Sequence, residues 1–263
     1  MVDKKQIMKL LKDNFSYNGK ISVDSNGLVS CTGHIRIFKK VNVLPVKFSR
    51  VDGNFFCNNI QLSTLEGAPA TVGGDFVCSN NRLTSLEHSP TTVVGFFWCN
   101  VNKLKTLEHA PTSVGGSFQC DFNQLKTLEH APASVRGSFS CEFNQLTTLQ
   151  GAPTSVGGSF MCDHNQLTSL EHAPASVGKS FRCDHNQLTT LKGLPVVTKL
   201  VLSYSPTLPL LRCLLAKHVE FHPALENKTI ETILNKYAGK GRREMFWCQK
   251  ELEDAGFPEN ARW

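Results

Sequence analysis

Val114-Gly115-Gly116-Ser117-Phe118-Gln119-Cys120-Asp121-Phe122-Asn123-Gln124-Leu125-Lys126-Thr127-Leu128-Glu129-His130-Ala131-Pro132 is one period of a sentence that recurs through most of this 263-residue chain. Its cysteine returns every 21 residues, at Cys57, Cys78, Cys99, Cys120, Cys141, Cys162 and Cys183. A fixed period of this length marks a solenoid, in which each unit buries one stripe of side chains against its neighbours. Such a fold offers broad, regular faces, so a binding surface is expected ahead of a catalytic pocket.

Within the unit, Phe118 and Cys120 alternate with polar residues, which is the period of a strand. Phe55, Phe76, Phe97, Phe118, Phe139, Phe160 and Phe181 then form one core column, and leucines such as Leu125 and Leu128 form two more. Asparagine recurs at Asn81, Asn102, Asn123, Asn144, Asn165 and Asn186, where an amide can satisfy backbone groups freed by the turn; Ile60 takes that place in the first unit. Paired glycines admit a sharp bend before the strand, and Ala-Pro ends the unit because proline lacks an N–H and fixes φ. Twenty-one residues leave too little chain for a helix, so the far side is expected to be extended or 3₁₀-like.

Phe118, Cys120, Asn123 and Leu125 fall in the slots of the pattern L-x-x-L-x-L-x-x-N-x-L, so the unit resembles a leucine-rich repeat. The predicted fold is a leucine-rich-repeat β-solenoid: a parallel sheet with a short extended or 3₁₀ convex side, an α/β N-terminal cap and a helical C-terminal cap. Residues 1–50 are read as the N-terminal cap, 51–195 as seven repeats, and 196–263 as a last strand with a helical cap. A helix is expected over 3–15, with Ile7, Leu10 and Leu11 on one side. A hairpin over Ile21–Cys31 turns at Asp24-Ser25-Asn26-Gly27. Val41–Phe48 reads as a degenerate repeat with Leu44-Pro45 in the Ala-Pro place. Leu200 and Leu202 mark the last strand. Two or three helices follow, among them Lys228–Tyr237 and Arg243–Ala255, the latter stopped by Gly256.

The formal net charge of +6 is unevenly spread. Residues 1–50 carry ten Lys/Arg against three Asp/Glu, whereas residues 51–195 carry eight against eleven. The repeats are thus mildly acidic, and a nucleic-acid partner is not favoured for their faces. A nucleic-acid reading would use Lys39, Lys40, Lys47 and Arg50, or Lys240, Arg242 and Arg243. No run of about 20 apolar residues is present to span a membrane. Met1-Val2-Asp3-Lys4-Lys5 lacks the apolar stretch of a secretory signal. Seven of the ten cysteines sit in equivalent places, where parallel side chains all point inward. They are read as small, reduced core residues, which points to the cytoplasm.

The strand's outward residues make columns. After each cysteine come Asn58, Ser79, Asn100, Asp121, Glu142, Asp163 and Asp184; then Asn59, Asn80, Val101, Phe122, Phe143, His164 and His185. Between Phe and Cys lie Phe56, Val77, Trp98, Gln119, Ser140, Met161 and Arg182. Two zones are expected on the concave face. One is an apolar cluster of Phe56, Val77, Phe96, Trp98 and Val101. The other is an acidic line of Asp121, Glu142, Asp163 and Asp184 flanked by Phe122, Phe143, His164 and His185, with Met161 and Arg182 beside it. Exposed aromatics serve as interface anchors, and stacked carboxylates would welcome a basic partner. The alternative for Phe122 and Phe143 is that they tuck inward at the strand's end. A further histidine column, His88, His109, His130 and His172, reads as surface filler.

Catalytic motifs are lacking: no Gly-x-Ser-x-Gly, P-loop or His-Glu-x-x-His occurs. Cys248 beside Trp247 has no histidine near it in sequence and is read as core. The doubled Asp-His of Asp163-His164 and Asp184-His185 follows from duplication alone, so no metal and no cofactor is expected. Some secreted bacterial effectors join similar short repeats to a cysteine ubiquitin-ligase domain; a repeat-guided effector enzyme using the C-terminal segment is the alternative in another class.

Leu44-Pro45-Val46-Lys47-Phe48, the repeated V-G-G-S-F-x-C-x-x-N-Q-L-T-S-L-E-x-A-P, and the tail with Ile233-Leu234-Asn235-Lys236-Tyr237, Cys248-Gln249-Lys250-Glu251-Leu252 and Asp254-Ala255-Gly256-Phe257 together resemble short, cysteine-containing leucine-rich repeat proteins of large tailed bacteriophages. The resemblance implies a binder of host proteins, in the host cytosol, acting on a defence enzyme. The expected function is a non-catalytic protein–protein interaction module.

Overall fold

The computed structural model describes residues 3–225 and 228–263. Met1 and Val2, part of the segment read as lacking a secretory signal, lie outside the described residues. The chain is a β-solenoid of about nine turns. Its Phe-x-Cys segments build an 11-stranded sheet that is parallel except at its first strand. Phe55 pairs with Phe76 and the register advances by one repeat at each step to Phe181. The far side is extended, as the short unit requires, and its Ser-Val or Thr-Val dipeptides pair as well. They form a second, nine-stranded sheet.

The core between the sheets is ordered by side-chain type. Phe55 to Phe181 stack ring on ring at centroid spacings of 5.3–5.7 Å. All ten cysteines are free and buried. The choice of cysteine has a geometric reason: from Cys99 to Cys183 each Sγ lies 3.2–3.5 Å from a carbonyl of the next turn, as in Cys120 Sγ to Ser140 O at 3.3 Å. The thiol is small enough for the core and is a weak donor besides. Burial pushes these thiols up, out of the reactive range.

Each asparagine amide does what the sequence position asks of it. Asn123 Nδ2 donates to Cys99 O at 3.2 Å, Cys120 O at 3.0 Å and Asp121 O at 3.2 Å, while its Oδ1 accepts from Leu104 N at 2.9 Å. The bend before the strand needs a bare backbone: a Cβ on Gly137 would stand 2.7 Å from Ser117 N and 2.8 Å from the Gly116 carbonyl carbon.

The caps differ in part from expectation. Helix α1 (Lys4–Asn14) is capped by Asp3, whose side chain accepts from Lys5 N and Gln6 N, and it buries Leu11. The hairpin Ile21–Val23 with Val29–Cys31 forms at the expected turn, where Asp24 Oδ1 accepts from Asn26 N and Leu28 N, both at 2.8 Å. The degenerate turn is placed differently. Ile35–Ile37 occupies the Phe-x-Cys position, with Ile35 opposite Phe55. Arg50 pairs with Thr71, and Ser63 N bonds Asn42 O. Leu44 therefore takes the slot of Leu65 rather than the Ala-Pro place. At the other end Val197–Leu202 pairs with Ser180–Arg182, but it is not the last strand: Ala216–Phe221 adds another, with Val219 opposite Leu200. A 3₁₀ turn (Leu211–Leu215) joins them. Helices α2 (Thr229–Tyr237) and α3 (Arg242–Asp254) cover the end, and Gly256 closes α3 at φ +86°.

Candidate functional site

The site grows from one backbone feature. Two residues after each cysteine the chain leaves the strand through a left-handed residue: Asn59, Asn80, Val101, Phe122, Phe143, His164 and His185 have φ between 51° and 61°. Asparagine tolerates this conformation, whereas a β-branched or bulky residue pays roughly 1–2 kcal/mol. The first two corners use asparagine and the next five do not. Their side chains form a ladder. Phe122 stacks on Phe143 at 4.3 Å, Phe143 on His164 at 4.0 Å, His164 on His185 at 4.1 Å, and His222 meets His185 edge-on at 5.2 Å. Phe122 and Phe143 do not tuck inward: they are 50% and 39% exposed, and Val101 is 41% exposed.

The residues expected in the apolar cluster differ in exposure. Phe96 is exposed and lies parallel to the half-buried Trp98 at 5.6 Å. Phe56 is half-buried beneath the Arg36 guanidinium, 4.7 Å from its ring centre. Val77, expected on the open face, is buried. It sits directly between Phe56 and Trp98 on the adjoining strands, and these larger side chains cover it.

The acidic line needs the larger correction. Asp121, Asp163 and Asp184 are buried, and Glu142 is half-buried; they do not present an open acidic surface. Their partners belong to the chain itself. Asp121 accepts from Ser140 Oγ and, at 3.0 Å, from Glu142 N. Arg182 lies between Asp163 and Asp184, with its nitrogens 3.7 and 3.6 Å from the two Oδ1 atoms. His164 Nδ1 is 3.1 Å from Asp163 Oδ2, and His185 Nδ1 is 3.0 Å from Asp184 Oδ2. The imidazoles of the ladder thus fold over the carboxylates beside them. Met161 and Arg182 are half-buried in this row.

Crowding of acids leaves an electrostatic trace. Glu142 is pushed up to about 8, first by desolvation, then by its hydrogen bond with Asp163 and the charges of Asp163 and Asp121, against the pull of Arg182. Burial raises Asp121 as well, opposed by its bonds from Ser140 and Glu142 N. Asp163 Oδ1, Asp184 Oδ1 and Arg182 Nε are buried without a hydrogen bond.

Sequence reasoning missed His222. Its Nδ1 lies 2.9 Å from Asp184 Oδ2, the oxygen that His185 also meets. The available signal was the alternation of Ala216–Phe221, which extends the sheet and delivers the next residue to the ladder's end. One ligand atom each of His164, Asp184 and His185 lies within 4.8 Å of the others, so these residues could hold a metal ion.

Other candidates lie elsewhere. Lys47 pairs with Glu66 at 2.9 Å and Arg50 with Asp52, while Lys39 and Lys40 are exposed. Lys240 and Arg243 are exposed near the other end; the Arg242 side chain lies outside the described atoms. His88, His109, His130 and His172 are exposed in a second left-handed slot, the one filled by Gly67, Gly151 and Gly193 in other turns. Burial pushes Cys248 up to about 12. Where the asparagine ladder stops, Asn186, Leu188, Ser203 and Tyr204 line a cleft of about 290 Å³. Among the described residues no helix is long and apolar enough to cross a membrane. No protein-family model matches the chain, and no curated protein is similar to it.

Proposed function

We propose that the protein is a non-catalytic binding module that holds a protein partner on the outer face of its longer sheet, the face expected to be concave. The carrying observation is the aromatic ladder at the left-handed corners. Asparagine would serve the backbone at Val101, Phe122 and Phe143, as it does at Asn59 and Asn80, yet those positions carry apolar groups that stay exposed to solvent. Mutual stacking, about 0.5–1.5 kcal/mol per pair, at best roughly balances the backbone strain at Phe122 and Phe143, so it gives the aromatic ladder no clear net advantage over asparagine. Contact with a partner supplies the remaining reason for the choice, because exposed aromatic and apolar strips are what interfaces bury.

The corrected electrostatics narrow the partner. The acids are buried or half-buried among groups of the chain itself and present no open acidic surface, so the partner is not selected for basic charge. It presents an apolar strip that spans from Phe96 and Trp98 to Phe143. Ten free, buried thiols favour a reducing compartment. The 21-residue cysteine-containing unit supports the finer reading that this is a bacteriophage-type repeat protein occupying, and so inhibiting, a host defence protein in the host cytosol.

The test is comparative capture from the host. The wild-type chain and a Phe122→Asn/Phe143→Asn variant, which keeps a residue suited to each corner, are used as baits with quantitative mass spectrometry. A partner enriched by the first and lost by the second supports the face. The same partner held equally by both variants overturns it.

A further inference from the structure

We propose that His164, Asp184 and His185, joined by His222 as the fourth donor, form a binding site for a zinc-class transition-metal ion that ties the C-terminal cap to the last full repeat. Duplication explains why Asp163-His164 is followed one period later by Asp184-His185. It does not explain His222, which lies outside the repeats and is brought in by the strand Ala216–Phe221. Its Nδ1 stands 2.9 Å from Asp184 Oδ2, and His185 Nδ1 stands 3.0 Å from the same oxygen. Neighbouring ligands on a tetrahedral or octahedral ion with bonds of about 2.1 Å are separated by roughly 3.0–3.4 Å. Two separations, both to Asp184 Oδ2, thus fall close to that range; His164, Asp184 and His185 are the residues whose ligand atoms all lie within 4.8 Å of one another, and His222 reaches this cluster through Asp184.

The carboxylate is the second observation. Asp184 is fully buried, and its Oδ1 accepts no hydrogen bond; the nearest cation, Arg182 Nη2, is 3.6 Å away. That orphan oxygen faces Arg182 while Oδ2 faces the histidines; a cation bound at Oδ2 adds compensating charge to a buried carboxylate that lacks its full set of partners. The three rings are partly exposed, so an ion has a way in. Three imidazoles and one carboxylate suit Zn²⁺, with Co²⁺ and Ni²⁺ as chemical relatives, and do not suit Mg²⁺ or Ca²⁺, which take oxygen ligands. Coordination exchanges the Nδ1–H···Oδ2 contacts of His185 and His222 for shared bonds to the ion, and each neutral ring carries its proton on Nε2 instead. His164 is oriented by Asp163, its Nδ1 3.1 Å from Oδ2, in the manner of a supporting carboxylate behind a ligating histidine.

Calorimetric titration of ZnCl₂ into chelator-treated full-length protein near neutral pH tests the site. The expected result is one ion per chain, with affinity lowered at least about ten-fold in His222→Ala and in His185→Ala. Co²⁺ is expected to show the visible bands of a four-coordinate N/O site in the wild type and to lose them in His222→Ala. Because His222 is exposed, that variant is expected to retain the wild-type circular dichroism; His222→Cys, which restores a soft donor, is expected to recover binding if the position is a ligand. The absence of binding up to about 1 mM zinc, a weakness no specific zinc site shows, overturns the proposal. So does unchanged affinity in both histidine variants, which would place the ion on the other exposed histidines.

Discussion

Replacing Asn123 with alanine isolates what one rung of the asparagine ladder contributes. The amide makes four hydrogen bonds, but their loss is not four equal losses. Cys99 O keeps Asn102 Nδ2 at 3.0 Å, Cys120 O keeps Asn144 Nδ2 at 3.1 Å, and Asp121 O keeps Val101 N at 2.9 Å. Leu104 N alone loses its partner, and it sits in a buried setting. An orphaned buried N–H costs about 1–3 kcal/mol, and the weakened carbonyl contacts add about 1 kcal/mol more. The expected destabilisation is therefore about 2–4 kcal/mol, well below the sum of four independent bonds. Asn123→Asp separates donor from acceptor roles. It keeps an oxygen for Leu104 N but turns a carboxylate oxygen toward three carbonyls, so at neutral pH it is expected to be worse than alanine despite its closer shape. Equilibrium urea denaturation of the full chain, compared through midpoints at constant slope, gives both numbers. An aspartate variant milder than the alanine one, or an alanine cost below about 0.5 kcal/mol, refutes this account of the ladder.

Glu142→Gln is expected to remove a pH dependence. The folded chain holds a proton that the unfolded chain releases, so wild-type stability is full below the ordinary carboxyl range and falls as pH rises through about 8; the glutamine variant flattens that fall in denaturation midpoints measured across it. The thiols are expected to be silent: none of the ten should react rapidly with a disulfide reagent in the native protein, and all should react after unfolding, so one fast native thiol contradicts their burial. Phe143→Asn trades relief of left-handed strain, about 1–2 kcal/mol, against two lost stacking contacts of about 0.5–1.5 kcal/mol each. Its unfolding midpoint is expected to stay close to the wild type, and a large loss would show that the ladder is structural.

What the sequence disclosed and what it withheld divide along physical lines. Cys120, Phe118 and Asn123 are legible because each side chain answers to the copy of itself one period away, so the period alone sets its environment. The hairpin at Asp24-Ser25-Asn26-Gly27 and the stop at Gly256 are legible because local turn chemistry decides them. Alternation also says that Val77 and Asp163 project from the sheet. It does not say that Phe56 and Trp98 will close over the first, or that Arg182 and His164 will close over the second, because burial depends on the length of neighbours across strands. The strand Ala216–Phe221 alternates in the expected way, yet its turn advances by 19 residues instead of 21 and the strand itself carries neither Cys nor Asn. With it His222 escapes the pattern, since it lies 37 positions beyond His185, off the 21-residue period.

The left-handed corner has a consequence for how such a chain can change. The core positions of the unit are tied: Phe, Cys, Leu and Asn meet the neighbouring turns on both sides, so altering one rung disturbs two neighbours. The corner residues meet their own copies too, but outside that core, and asparagine, valine, phenylalanine and histidine all adopt the same left-handed backbone there. A duplicated unit can thus receive a new letter there, asparagine to valine, phenylalanine or histidine, at a local cost of roughly 1–2 kcal/mol and without repacking anything beneath it. Seven corners in a row make a surface written one character per turn, on a scaffold that stays the same while the text varies.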